Sequence, residues 1–359
     1  MKSLIKSYVN RCGYDVTRRE NISEADSVAA VKKNRYFPNY GILDTSVGSK
    51  NLGDFIIMEA INTELHRLFG NKAYFTTFPT HLRITQEDRM LLLEKELLFV
   101  CGTNLLNSRM DEHLQWHVGR EDWNYYYKRC VLVGTGWGKY DVRPTTGTAE
   151  MLRHMLSDKV LHSVRDEYSK DMLNSIGISN VVNTCCPTTW NIRGREIDVT
   201  KKGIAVTTVT DYHQDTDKDS QMINILLANY EQVHIWIQSI EDIAYIEKMH
   251  ITEKGKLIFI PPSLEAYRDF LDTNAHRVDY IGTRLHAGIY AMQRNIRTLI
   301  IGIDNRASEI AKDIGMDMVK REKVEDIQQF INSPKTSLLK LPFDTIAKWR
   351  ESILNNADL

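Results

Sequence analysis

The stretch YIGTRLHAGIYAMQRNIRTLIIGIDN, residues 280–305, decides the fold. An apolar, strand-like run ends in Gly282-Thr283-Arg284-Leu285-His286 and passes at once into a helical pattern, after which RTLIIGI reads as a second buried strand. Two cationic-capable groups, Arg284 and His286, therefore sit where a strand gives way to a helix. Working outward, GIAVTTV, VHIWIQ, LIFIPP and VDYIGT read as further strands, with SQMINILLANYE, SIEDIAYIEKMH and LEAYRDFLDTN as helices beside them. The same alternation runs through the first half. NYGILD, ELLFVCG, RCVLVG, KVLHSV and ISNVVN are short apolar runs, DFIIMEAINTELHRLF is a long amphipathic helix, and EYSKDMLNSIG is a helix with a glycine stop. Strand and helix alternating twice over predicts an α/β protein with two parallel-sheet domains, residues 1–190 and 191–359. The polar TTWNIRGREIDVTKK is expected as the linker, and DTIAKWRESILNN as an amphipathic C-terminal helix able to cap either half.

A chain of 359 residues with 42% hydrophobic and 26% charged residues is an ordinary globular protein, long for one core. A formal net charge of -1 supplies no global field for nucleic acid or an anionic membrane, so any basic site is local. Five scattered cysteines (Cys12, Cys101, Cys130, Cys185, Cys186) point to a reducing compartment. The start, MKSLIKSYVNRCGYDVTRRE, lacks a signal-peptide pattern, and no apolar run reaches the roughly 18 residues of a membrane span. The expectation is a cytoplasmic protein whose basic N-terminus at most touches the inner membrane face.

In open α/β sheets, ligands sit beyond the carboxyl ends of the strands, where helix N-termini favour anions. Arg284 offers a planar donor fork for phosphate or carboxylate, and His286 can donate to phosphate or act as a general acid. The alternative is a surface arginine and a loop-capping histidine. SVRDEYS repeats the arrangement with Arg165 at a strand end and Asp166 placed to cap the next helix; here the alternative is a local Arg165–Asp166 ion pair. VGSKNLGD is a glycine-bearing loop with Asp54 as expected N-cap, but it does not match the phosphate-loop spacing, and VGTGWG lacks the spacing of a dinucleotide fingerprint. Metal patterns fail: Leu114 replaces the glutamate between His113 and His117, Ser220 and Leu226 break a calcium loop, and Cys185–Cys186 are adjacent. No metal ligand set and no nucleophile elbow is expected.

Taken in order, SVGSKNLGDFIIMEAI, LLFVCGTNLL, VLVGTGWG, VRDEYSKDMLNSIGI, CCPTTW and YIGTRLHAGIYAMQRNIRTLIIGIDNRASEIAKDIGM resemble the polysaccharide pyruvyl transferase family over roughly residues 40 to 320. The resemblance implies two Rossmann-like domains facing a cleft, as in B-type glycosyltransferases. It further implies a transferase that moves the enolpyruvyl group of phosphoenolpyruvate onto a sugar of a surface polysaccharide or its precursor, usually as a ketal, releasing phosphate. On this resemblance Arg165, Arg284 and Leu285 of the triplet contact the donor, His286 is catalytic, and Arg306 stands where the family often has lysine. The first domain would hold the acceptor, a sugar, oligosaccharide or lipid-linked saccharide, with Asn51, Asp54 and Asn104 on that side. The second would hold phosphoenolpyruvate, with no separate cofactor, no metal and no nucleic acid. Asp54 and Asp211 are candidate bases. A nucleotide-sugar-dependent glycosyltransferase of similar fold and a non-catalytic α/β scaffold are the competing readings.

Overall fold

The computed structural model describes residues 23–24, 37–113, 115–192, 202–333 and 338–356. The basic N-terminal stretch, Cys12, Leu114 and most of the expected linker lie outside the described residues.

The first half contains β1 (Asn39–Asp44), α1 (Leu52–Phe69), β2 (Tyr74–Pro79), α2 (Gln86–Leu93), β3 (Leu97–Cys101), β4 (Cys130–Val133), α3 (Thr146–Met155), β5 (His162–Val164), α4 (Glu167–Asn174) and β6 (Val181–Asn183). Its strands are parallel in the order β2-β1-β3-β4. The parallel pair β5-β6 continues this sheet through a bridge from Thr135 to Val164 and a hydrogen bond from Gly134 N to Ser163 O of 3.0 Å. The strand order reverses between β1 and β3.

The second half contains β7 (Ile204–Thr207), α5 (Thr216–Asn229), β8 (Gln232–Trp236), α6 (Glu241–Glu247), β9 (Leu257–Ile260), α7 (Leu264–Asn274), β10 (Val278–Gly282), α8 (Leu285–Met292), β11 (Arg297–Gly302), α9 (Asn305–Ile314), β12 (Met318–Lys320) and α10 (Ile327–Asn332). Its six strands, all parallel, run β12-β11-β10-β7-β8-β9. Counting from β7, this is the Rossmann order 3-2-1-4-5-6, and its switch point lies between β7 and β10.

The central strands of both sheets are covered on two faces, as period-two side-chain alternation requires when successive positions are apolar. In the first sheet Leu43, Leu98, Val100 and Leu132 enter one core, while Ile42, Phe99, Val131 and Val133 enter the other. In the second, Val206, Tyr280 and Ile300 alternate with Ala205, Ile281 and Leu299. Ile56 of α1 joins the core of the second half, and Leu52 N donates to Gln238 O at 3.1 Å, so the halves meet along a packed seam.

Two expectations change. The supposed linker begins as a packed 3-10 turn, Pro187–Thr189, with Thr188, Thr189, Trp190 and Ile192 all buried; a chain crossing between two cores is itself covered. The last helix, α11 (Phe343–Asn356), falls in the residue range of the second half yet returns to the first. Ile346, Trp349 and Ile353 enter the core that holds α1, Trp349 lies 5.3 Å from the Trp190 ring, and Arg350 pairs with Glu64 at 2.6 Å.

Candidate functional site

The carboxyl ends of both sheets face one another across a cleft of about 900 Å³. Its first wall includes Asn51, Asp54, His81, Thr103 and Asn104; its second includes Asp211, Tyr212, Arg284, Asp304 and Arg306. Beneath the cleft lies a small recess of about 10 Å³, lined by Asn51, Tyr212, Arg284, Leu285, His286 and Arg306 among others. That volume holds one water-sized group.

Arg284 sits at the switch point of the second sheet, between the end of β10 and the start of α8. Its backbone is fixed on both sides: its N–H donates to Thr208 Oγ1 at 3.2 Å and its carbonyl accepts from Tyr280 Oη at 2.7 Å. The guanidinium is 2% exposed. Nε donates to Val209 O at 2.8 Å, and Nη2 donates to Asp211 at 2.8 Å and to Asp242. Nη1 has no partner among the described residues although it is buried. A buried donor left unmade is costly, about 1–3 kcal/mol, so this nitrogen marks a place where an acceptor fits.

Arg306 opens α9. Its Nε donates to Asp304 at 2.8 Å and its Nη2 to Tyr212 Oη at 2.6 Å. Burial would push the Asp304 carboxyl up, but the adjacent charges of Arg306 and Arg165 and the bonds from Arg306 hold it down at about 2. The Tyr212 ring lies 5.1 Å from the Arg284 guanidinium and 5.8 Å from that of Arg306. A half-exposed aromatic thus covers both arginines.

His286, in the first turn of α8, is 5% exposed. Burial, and then the charges of Arg306 and Arg165, push its pKa down to about 3, against a smaller upward pull from Asp304. The imidazole is therefore neutral at ordinary pH in this state. Its Nε2 lies 3.7 Å from Cys186 Sγ. The N-terminus of α8 has no side-chain cap, whereas α1, α4, α5, α7 and α9 are capped by Asn51, Asp166, Asp215, Ser263 and Asp304.

Other expected residues fall differently. Asp54 is not the N-cap of α1; Asn51 is, accepting from Gly53 N at 3.1 Å. The Asp54 carboxylate instead faces the cleft, accepting from Ser49 Oγ at 2.6 Å. Burial raises its pKa, opposed by Ser49, His81, Thr103 and Arg306. Asn104 lines the cleft and its Oδ1 accepts from Arg165 Nη1 at 2.7 Å. Arg165 does not line the cleft. It is 1% exposed, with Nε on Asp166 at 3.1 Å and Nη2 on Trp137 O at 3.2 Å, which is the local ion-pair alternative. It reaches the cleft by contact through Asn104 and by its charge on Asp304 and His286. Of the VGTGWG glycines, Gly136 serves this packing: a Cβ there would stand 2.2 Å from Arg165 Cζ. Leu285 is buried in the apolar core of the second half while edging the recess. Asp211 lines the cleft but is committed to Arg284.

Sequence reasoning missed Tyr212, Asp242, Asp304 and His81. Tyr212 follows β7 at the switch point, which is the one positional signal that could have found it. Among the described residues no group of side chains could hold a metal ion, and no helix is long and apolar enough to cross a membrane.

Known proteins agree with this architecture. The family model described as polysaccharide pyruvyl transferase matches residues 51–305. No curated protein matches the chain. Among solved structures, UDP-GlcNAc 2-epimerase from Methanocaldococcus jannaschii, in complex with UDP-GlcNAc and UDP, has a TM-score of 0.53 at 13% identity, covering 89% of this chain and 99% of that one. The S. aureus MnaA–UDP co-structure has a TM-score of 0.51 at 12% identity, covering 89% of this chain and 95% of that one. At such identities the likeness is one of fold. The family match spans more than half of the chain, which therefore belongs to the polysaccharide pyruvyl transferase family, a family of transferases.

Proposed function

We propose that this member of the polysaccharide pyruvyl transferase family takes phosphoenolpyruvate as donor at the Arg284–His286–Arg306 recess and transfers its enolpyruvyl part to a saccharide, as a pyruvate ketal, with release of phosphate. The observation that carries the reading is the buried, unpartnered Nη1 of Arg284, beside a second buried arginine and an uncapped helix N-terminus. Phosphoenolpyruvate carries about three negative charges near neutral pH. Two guanidinium groups and a helix N-terminus neutralise such a ligand without a metal. The recess as it stands admits only a water-sized group, so donor entry requires Tyr212 to swing off the arginines and the carboxylates of Asp211 and Asp304 to yield their forks.

Chemistry then follows from the charges. A proton added to the donor methylene makes a methyl group and leaves the phosphate-bearing carbon oxocarbenium-like. A sugar hydroxyl attacks that carbon and gives up its proton; a second hydroxyl attacks as the carbon–oxygen bond to phosphate breaks, and its proton leaves with the phosphate. The bound trianion raises the pKa of neutral His286, so the histidine can carry the methylene proton or donate to the phosphate. Asp54, its carboxyl already raised by burial and facing the cleft, suits the hydroxyl proton.

A thermal-shift panel tests the donor. Phosphoenolpyruvate should stabilise the protein by about 2.7 kcal/mol at a hundredfold excess over its dissociation constant. UDP-GlcNAc, the ligand of the epimerase of similar fold, is the control. Phosphate release should require donor and saccharide together and persist in a chelator. Stabilisation by UDP-GlcNAc and not by phosphoenolpyruvate would replace this reading with that of a nucleotide-sugar enzyme.

A further inference from the structure

CCPTTW, residues 185–190, places a thiol against the histidine of the recess. Cys185 holds a left-handed backbone, φ +60°, which turns the chain inward ahead of the Pro187–Thr189 turn. Cys186 is buried, and its Sγ accepts from Thr188 Oγ1 at 3.0 Å and from the Thr188 backbone N–H, and lies 3.7 Å from His286 Nε2. Burial raises the pKa of the thiol, so it keeps its proton at ordinary pH. With its lone pairs taken by the Thr188 hydroxyl and backbone N–H, the thiol turns its proton to the remaining neighbour, the imidazole. The other ring nitrogen, Nδ1, makes no hydrogen bond among the described residues, and the ring lines the recess.

We infer that Cys186 is a positioning residue: the relay from Thr188 through Cys186 to His286 Nε2 fixes the neutral imidazole as the Nδ1–H tautomer, which presents a donor to an anion in the recess. A ring nitrogen's role is set by the bond its partner nitrogen makes. The second-half site is therefore built in part by the chain segment that leaves the first half. The tautomer assignment stands on the contacts alone. Its catalytic consequence rests on the pyruvyl transfer proposed above.

The test is ¹⁵N spectroscopy of histidine-labelled full-length protein, with the His286 signals identified by their loss in His286→Gln. The wild type, with inorganic phosphate as the probe, should show His286 protonated on Nδ1. Cys186→Ala removes the thiol donor and should move the ring toward Nε2–H. Cys186→Ser keeps a donor, controls for folding and should restore the wild-type signals. Turnover should fall at least about tenfold in Cys186→Ala and recover in Cys186→Ser, with little change in KM for phosphoenolpyruvate. An Nε2–H ring in the wild type, or a tautomer indifferent to Cys186→Ala, overturns the inference. A tautomer that responds as stated in a protein that releases no phosphate from phosphoenolpyruvate sustains the positioning role and rejects the donor.

Discussion

Replacing Arg284 with methionine should separate what this arginine does for the fold from what it does for the donor. In the wild type its Nη2 serves Asp242, whose side chain is wholly buried, and Asp211, which is 24% exposed. Arg284→Met strands the Asp242 carboxylate, already raised by burial, without its cation. Breaking a buried pair in this way costs about 3–5 kcal/mol. Adding Asp242→Asn removes the stranded charge and keeps a carbonyl for one of the two N–H groups, those of Ser239 and Asp211, that the separate carboxylate oxygens accept at 2.9 and 3.2 Å. The double variant should therefore return to within about 1–2 kcal/mol of wild type. Donor binding should not return. The one guanidinium nitrogen free for a ligand is Nη1, and a charge-assisted hydrogen bond lost there is worth about 1.5–3 kcal/mol, or about 13- to 160-fold in affinity. A donor concentration that stabilises the wild type by about 2.7 kcal/mol should then stabilise the double variant by only about 0.3–1.3 kcal/mol. Urea denaturation with and without phosphoenolpyruvate reads both quantities. A double variant that keeps the full donor stabilisation would refute the assignment of Nη1 to the donor.

Tyr212→Ala, which uncovers both arginines, should tighten phosphoenolpyruvate binding by about tenfold, because donor entry no longer has to break about 1.4 kcal/mol of cation–π contact, while Tyr212→Phe keeps the ring and near-wild-type affinity; titration calorimetry distinguishes them. Trp349→Ala, in a helix that contributes nothing to the cleft lining, should cost about 3–5 kcal/mol in urea denaturation and leave turnover per folded molecule unchanged. His286 sets a pH dependence: its folded pKa of about 3 lies below the unfolded value of about 6.5, so the unfolded chain binds the extra proton and stability falls on acidification through that window. Between pH 7.5 and 5 the stability of the wild type should drop by about 2 kcal/mol more than that of His286→Gln, and an unchanged gap would show that the imidazole is not held neutral.

Five of the six strands of the second sheet are legible because each is a run of apolar residues, most of them bounded by a glycine or proline; the short edge strand β12, Met-Val-Lys and nowhere fully buried, is not. The sequence thus puts Arg284 and His286 at a strand's carboxyl end, and the strand order of the folded sheet puts that end at the switch point. β2 escapes notice for the opposite reason: it is an edge strand in which only Phe78 is buried, so TyrPheThrThrPhe shows no clean period. α3 is hidden behind a proline and three threonines, and its start is recognisable only once Thr145 is seen accepting from Thr148 N at 3.1 Å. The position of α11 could not be read at all, since an amphipathic stripe states that a face is buried but not against which core.

The site divides along the same line. Residues whose role follows from backbone position, such as Arg284 at a strand end, are visible in one dimension. Residues whose role follows from what they meet are not. Arg165 and Arg284 look alike in sequence, arginines one and two residues past the end of a strand, yet they differ in what their forks meet. Arg165 lies on the bare backbone of Gly136 with all three guanidinium nitrogens bonded, whereas Arg284 keeps one buried nitrogen unmade. The difference is set by partners 29 and 61 residues away in one case and 42 to 75 in the other, contacts that no local pattern encodes. Arg165 thus acts on the site through its field, as one of the two cations that hold His286 neutral, and through Asn104, which it orients toward the cleft. Arg165→Met should accordingly raise the His286 pKa and disturb the acceptor wall, leaving the unmade nitrogen of Arg284 in place for the donor.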